Sequence, residues 1–302
     1  MTDVEQRVAA FPVRLAQTRG GRIAYRETGS GEPLVLLHGV GSSSASWVDL
    51  MAVAAECLPG RRLIAWDAPG YGDSTHLSQA SPLPADYAQA LADLLDTLAV
   101  DRFDLVGHSL GALIAGAFAA AHASRVRALL LLDPAGGYGA SSPEARQKVI
   151  DGRLGMLAEL GPRGMAEQRG AALLSPRATL SAIELVQWSM ARVDLQGYPQ
   201  AVRMLAAGRL AEDLARFGAS KAARSDTGSG DAASAGAPVV VMCGSADTVT
   251  PEEGCRKIAA ACPGARYLTL PGLGHAGYVE APVLVAAEIA RSLLQMSGMP
   301  GR

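Results

Sequence analysis

The chain has 302 residues, of which 49% are hydrophobic and 19% charged, and a formal net charge of −2. That length holds one large α/β domain or two small ones, and the near-neutral balance offers no basic surface to draw nucleic acid or an anionic membrane, so neither is expected as a partner. The 4 cysteines, at positions 57, 243, 255 and 262, show no Cys-x-x-Cys spacing and read as reduced thiols, with Cys243 inside a buried strand.

The first twenty residues carry Asp3, Glu5, Arg7 and Arg14 and no apolar run long enough for a signal-peptide core. The apolar stretch 111–123 is broken by Gly116 and His122 and is too short to span a bilayer, so a cytoplasmic protein is expected. The alanine and arginine bias points to a bacterial source. Residues 13–25 form two strand-like runs around Arg19-Gly20-Gly21-Arg22, a hairpin signal. Residues 33–37 are a continuous apolar run, as in a central strand buried on both faces, and stop at His38-Gly39-Val40-Gly41. Trp47, Leu50, Met51 and Ala54 then recur at helical spacing. A strand over 62–66 ends in the turn Asp67-Ala68-Pro69-Gly70-Tyr71-Gly72, and Tyr87, Leu91, Leu94, Leu95 and Leu98 share one helix face.

Residues 103–106 run into Gly107-His108-Ser109-Leu110-Gly111 and the small-residue helix 112–121, followed by a strand over 126–132. Alternating strands and helices predict a mostly parallel sheet of about eight strands covered by helices on both faces. From 134 to 218 no apolar strand appears; segments 145–160, 165–174, 179–193 and 199–215 read as short helices, an inserted helical cap between core portions 1–133 and 238–302. Residues 219–237, small, polar and low in complexity, read as a flexible linker. The sheet resumes over 238–242, ending in Gly244-Ser245-Ala246-Asp247; a helix over 251–261, a strand over 266–270, Gly274-His275 and a helix after Pro282 complete the chain.

Gly-x-Ser-x-Gly between a strand and a helix is the context of a nucleophile elbow, with Ser109 at the tip and the free N–H groups of the helix start pointing at any charge that develops there. The pentad alone is weak in a chain with 34 glycines. Acyl transfer at serine also needs a base and an acid to orient it, and His275 and Asp247 each follow a strand, in the order serine, acid, histidine. Strand carboxyl ends share one edge of an open α/β sheet, so these positions converge.

With these motifs in this order, the chain resembles the α/β-hydrolase superfamily with a helical lid, over nearly its whole length. The resemblance implies the α/β-hydrolase fold, Ser109 as nucleophile, His275 as general base and then acid, and Asp247 as the orienting carboxylate. It further implies the backbone N–H groups of Leu110 and Val40 as oxyanion donors. Asp133 also follows a strand, and some relatives draw their carboxylate from there; Asp247 is preferred. Asp67 reads as a structural turn. His38 reads as shaping the oxyanion loop, and His38, Gly39, His108 and Trp188 are candidates for substrate contact; Met190, Tyr198 and Met204 are further candidates from the cap. No ligand spacing indicates a metal, and no dinucleotide fingerprint indicates a cofactor.

The expected function is a serine hydrolase acting on a small, largely apolar carboxylic ester or related acyl compound through an acyl-enzyme. The alternatives are a carbon–carbon bond hydrolase or enol-lactonase of aromatic catabolism, a perhydrolase, and, from another class, a ligand receptor on the same fold that turns over slowly or not at all. The partner is a small-molecule substrate; a homo-oligomer is compatible with the sequence.

Overall fold

The computed structural model describes residues 1–225 and 239–296. Its centre is an 8-stranded sheet in the order β1-β2-β4-β3-β5-β6-β7-β8. The strands are β1 (Arg14–Thr18), β2 (Gly21–Gly29), β3 (Glu32–Leu37), β4 (Arg61–Trp66), β5 (Phe103–His108), β6 (Val126–Leu132), β7 (Val239–Gly244) and β8 (Arg266–Leu270). The pairs β1–β2 and β2–β4 are antiparallel, and all others are parallel.

The central strands carry long apolar runs, residues 34–37 in β3, 128–132 in β6 and 239–243 in β7, because both faces are covered. Val35, Leu37, Leu105, Leu129, Leu131 and Val241 point into one core, which the helices Pro84–Thr97, Leu110–Ala121 and Glu252–Ala260 cover. Leu34, Leu36, Val106, Leu130, Val240 and Met242, their alternate neighbours, point into the other, beneath Val48–Ala52 and Pro282–Met296. Leu110–Ala121 is buried almost all round, which explains its run of small apolar residues without a polar face. A helix not anticipated from the sequence, Asp3–Ala9, opens the chain. Thr2 and Glu5 cap it reciprocally, and this Thr-x-x-Glu pattern is a signal that could have revealed it.

The cap consists of Pro143–Arg169, broken at Gly161 and Pro162, then Leu180–Met190 and Gly197–Ala207. Ser142 and Thr179 accept from the N–H groups of Ala145 and Ala182 and so fix two of these helix starts. Two boundaries differ from expectation. The segment expected as one helix over 199–215 divides at Gly208, and its second half opens the helix Leu210–Ser225, which packs on Leu110–Ala121 and buries Leu210, Leu214 and Phe217. The cap therefore ends near residue 207 and not 218. Residues 219–225, expected as linker, continue that helix, with Lys221 Nζ donating to the Val126 carbonyl; 226–237 lie outside the described residues. Among the described residues, no helix is long and apolar enough to cross a membrane.

Candidate active site

Parallel register brings the motif-bearing strand ends together. Leu37 pairs with Gly107, His108 with Leu132, Leu132 with Met242, and Gly244 with Leu270, so the segments following β3, β5, β6, β7 and β8 emerge side by side. At the centre Ser109 takes φ 51 and ψ −113, a conformation costing an L-residue about 1–3 kcal/mol. It is held there by its N–H to Leu132 O at 3.0 Å and by the Ala112 and Ala135 N–H groups on its carbonyl at 3.0 and 3.1 Å. Only glycine fits beside it: a Cβ on Gly107 would lie 2.6 Å from Gly111 O, and one on Gly111 2.4 Å from Leu37 O.

Ser109 Oγ lies 2.9 Å from His275 Nε2, and His275 Nδ1 lies 2.8 Å from Asp247 Oδ2. All three side chains are buried. The Val249 and Thr250 N–H groups donate to Asp247 Oδ1 at 2.6 and 3.0 Å, and the Thr250 hydroxyl lies 2.6 Å from Oδ2. Burial pushes the Asp247 carboxyl up, but His275 and these Thr250 donors outweigh it and hold the group below the ordinary carboxylate range. A charged carboxylate there fixes the proton on Nδ1 and leaves Nε2 as an acceptor facing the serine.

Asp133 does not reach the histidine. Its Oδ1 accepts the Gly244 N–H at 2.7 Å. Burial pushes its carboxyl well above the usual range, against the pull of that N–H, and the nearby Asp247 charge adds to the rise. Asp133, Cys243 and Asp247 present ligand atoms within 4.8 Å of one another. Both carboxyls already serve protein partners.

The Val40 and Leu110 N–H groups meet no backbone acceptor among the described residues, and both residues border a cavity at Ser109. The Val40 peptide is anchored by Tyr71, whose hydroxyl donates to Val40 O at 2.7 Å. His38, at the start of this loop, braces it and, expected as a candidate for substrate contact, lines neither cavity at Ser109: its Nε2 accepts the Ala68 N–H at 3.1 Å, so Nδ1 carries the proton and donates to Gly39 O at 2.8 Å. Burial lowers its pKa against the pull of Asp67. Asp67 in turn accepts the Ser44 N–H at 2.7 Å, which gives this strand-end carboxylate a turn-building position.

His108 Nε2 donates to the backbone carbonyl of His275 at 2.8 Å and so ties the elbow to the histidine loop. Burial, then the neighbouring His275, pushes its pKa down to about 3, which leaves the ring neutral at ordinary pH. Gly39 and His108 line a cavity that lies between Ser109 and the cap, as do Met190 and Tyr198. Trp188, expected at the substrate, does not: its ring lies under the Arg192 guanidinium at 3.8 Å, and Arg192 also donates to its carbonyl. On the helix Leu180–Met190 the face toward the cavity is that of Val186 and Met190, and position 188 falls on another. Met204 is fully buried core.

Several contributors had no motif to announce them. Glu280 accepts from Gly274 N–H at 2.7 Å and from the Ser175 N–H and hydroxyl at 3.0 and 2.6 Å, which clamps the histidine loop to the cap. Thr250 stood only three residues beyond Asp247, where an Asx-type turn after a strand was a usable signal. Arg153 and Arg169, which line the cavity from the cap, had none.

A sequence model of the alpha/beta hydrolase fold matches residues 32–282. The 2-hydroxy-6-oxononadienedioate/2-hydroxy-6-oxononatrienedioate hydrolase of Burkholderia vietnamiensis (strain G4 / LMG 22486) is 40% identical over 40% of this chain and 42% of its own length. This chain thus matches about two fifths of that relative. A protein of Variovorax paradoxus (strain S110), provisionally named a carbamate hydrolase, is 31% identical over 87% of this chain and 91% of its own. A thermophilic esterase from Thermogutta terrifontis superposes with a TM-score of 0.77 at 23% identity, covering 95% of this chain and 99% of that one, a likeness of fold. The matched segment contains the elbow, the aspartate and the histidine, the relatives are hydrolases, and the chain belongs to the α/β-hydrolase fold family.

Proposed function

We propose that this chain is a serine hydrolase that cleaves a small, largely apolar carboxylic ester or related acyl compound through an acyl-enzyme. The observation that carries the reading is the buried hydrogen-bonded line from Ser109 Oγ through His275 to Asp247, at 2.9 and 2.8 Å, beside two unengaged backbone N–H groups. Ser109 Oγ attacks the carbonyl carbon while His275 Nε2 takes its proton, and the resulting oxyanion is received by the Val40 and Leu110 N–H groups. As the intermediate collapses, the carbon–oxygen bond to the alcohol breaks and His275 hands its proton to the leaving oxygen. Water then attacks the acyl-enzyme by the same proton path, releasing the acid and restoring Ser109. Asp247 keeps its charge throughout and holds the Nδ1 proton. His38 and Tyr71 position the oxyanion loop, and His108 positions the loop that carries His275.

A second reading, hydrolysis of a carbon–carbon bond in a diketone acid or of an enol lactone, uses the same groups and is favoured by the name of the Burkholderia relative. The test is labelling with a fluorophosphonate probe, with Ser109→Ala as control, followed by turnover of short esters, lactones and dienoate diketones. Labelling that depends on Ser109, with ester turnover, supports the proposal; preferred turnover of the diketones selects the second reading. A protein that binds such ligands but neither labels nor turns over is a receptor, and the proposal is then wrong.

A further inference from the structure

The cavity under the cap is largely apolar where the cap meets it, through Met165, Leu173, Val186 and Met190, yet Arg153 and Arg169 also line it. Both arginines lie on the helix Pro143–Arg169 and both are half-buried. Among the described residues, no aspartate or glutamate lines the cavity. Among the described residues, neither guanidinium makes a hydrogen bond, an ion pair or a ring contact, whereas most arginines of the core portion are paired, as Arg61 is with Asp104 and Arg62 with Glu27.

Arg153 has a second distinction. A second cavity, walled by Ala135, Tyr138 and Leu205, also opens on Ser109, and Arg153 borders it as well. Among the described residues, Val40, Ser109, Val249 and Arg153 alone line both spaces. Two of these carry the proposed chemistry, so Arg153 stands where the two arms of a bound substrate part. A guanidinium keeps its charge at any ordinary pH and presents a planar fork of donors that fits a carboxylate bidentately. In a cavity whose cap side is largely apolar and whose described lining holds no carboxylate, its unmet donors and uncompensated field favour an anionic guest.

We propose that the substrate is an organic acid: an acyl compound that carries a free carboxylate besides the carbonyl to be attacked, with Arg153 as its principal anchor and Arg169 as a second cation on the cap side. The assignment rests on the hydrolase reading and narrows it from neutral esters to carboxylate-bearing ones. It also places specificity on the cap, which supplies both cations, while the chemistry stays on the sheet.

The experiment compares 4-nitrophenyl hexanoate with mono-4-nitrophenyl adipate, whose acyl chains differ only by carboxylate for terminal methyl. The wild type should favour the adipate in kcat/KM. In Arg153→Met the adipate-to-hexanoate ratio should fall about 10- to 100-fold, the range of a charged hydrogen-bonded pair; Arg153→Lys should recover part of it, and Arg169→Met should lower it less. A wild-type ratio at or below one, or a ratio unchanged in Arg153→Met with an unaltered melting temperature, overturns the inference. A second measurement separates it from the hydrolase reading: calorimetric binding of adipate and of neutral adipamide to Ser109→Ala. Adipate binding that depends on Arg153 in a protein that hydrolyses neither ester leaves the anion site standing and removes the hydrolase; no preference for adipate over adipamide overturns the anion site even if esters are turned over.

Discussion

Asp247→Asn separates the two strand-end carboxylates by tautomer chemistry. Asp247 Oδ1 accepts from both the Val249 and Thr250 N–H groups, so an asparagine must place its carbonyl oxygen there. Its NH2 then occupies the Oδ2 position, 2.8 Å from His275 Nδ1. Two donors cannot face each other, so Nδ1 must give up its proton and Nε2 must hold one. The ring then donates to Ser109 where it has to accept, and the base is lost although the geometry stays intact. The expected loss is about 10⁴-fold in kcat, or roughly 5.5 kcal/mol of barrier. Asp133→Asn, by contrast, exchanges a carboxyl pushed toward its neutral form for a neutral amide that can still accept the Gly244 N–H, and kcat should stay within about tenfold. The assay is steady-state hydrolysis of 4-nitrophenyl hexanoate by both variants, with circular dichroism to verify folding. If Asp247→Asn keeps more than a tenth of the activity, or Asp133→Asn falls by a thousandfold, the assignment of the acid is wrong.

Other substitutions test the scaffold around that line. Ser109→Ala should lose about 10⁴-fold or more in kcat and all fluorophosphonate labelling, while Ser109→Gly, relieved of its positive φ, should melt about 2 °C higher; a lower melting temperature would contradict the strain argument. Gly111→Ala drives a methyl to 2.4 Å from Leu37 O, a backbone atom held in the sheet, and should cost more than about 2 kcal/mol in urea unfolding or abolish soluble expression, so wild-type stability would count against the packing described. For Asp133, whose folded-state pKa is raised by burial, the stabilising contribution is full below the unfolded value of about 3.9 and fades as pH rises toward the folded one. Asparagine has no such dependence, so the melting temperature of Asp133→Asn relative to wild type should climb from pH 4 upward; Asp247, with its low folded pKa, tilts both proteins the opposite way and cancels from the difference. A flat difference refutes the buried neutral acid.

Much of this arrangement was legible in the sequence, because it is written in local rules. Continuous apolar runs mark strands buried on two faces, so the sheet, its strand ends and most helices could be read within a few residues. The elbow could be read as well: a serine held at positive φ between two backbone crossings needs glycine on each side, and the chain shows both. The order Ser109, Asp247, His275 along the chain, with strands between, was enough to bring the three together, since parallel strands place their carboxyl ends on one edge. What the sequence could not decide has no period or spacing. Asp133 and Asp247 both end strands, and only three-dimensional placement shows which carboxylate meets His275 and which turns away to Gly244. Helical periodicity made residues 210–225 look like more cap followed by linker, but which surface an amphipathic helix covers depends on its neighbours, and Leu110–Ala121 needed that cover. Trp188 was a candidate for substrate contact from its place in the cap, yet which face of a helix meets a cavity is set by how the helix packs. Arg153 and Arg169 are the sharpest case. In the sequence they are ordinary charges on a polar helix; they stand out only because the cap folds over Ser109 and leaves them lining a cavity in which, among the described residues, no acid meets them.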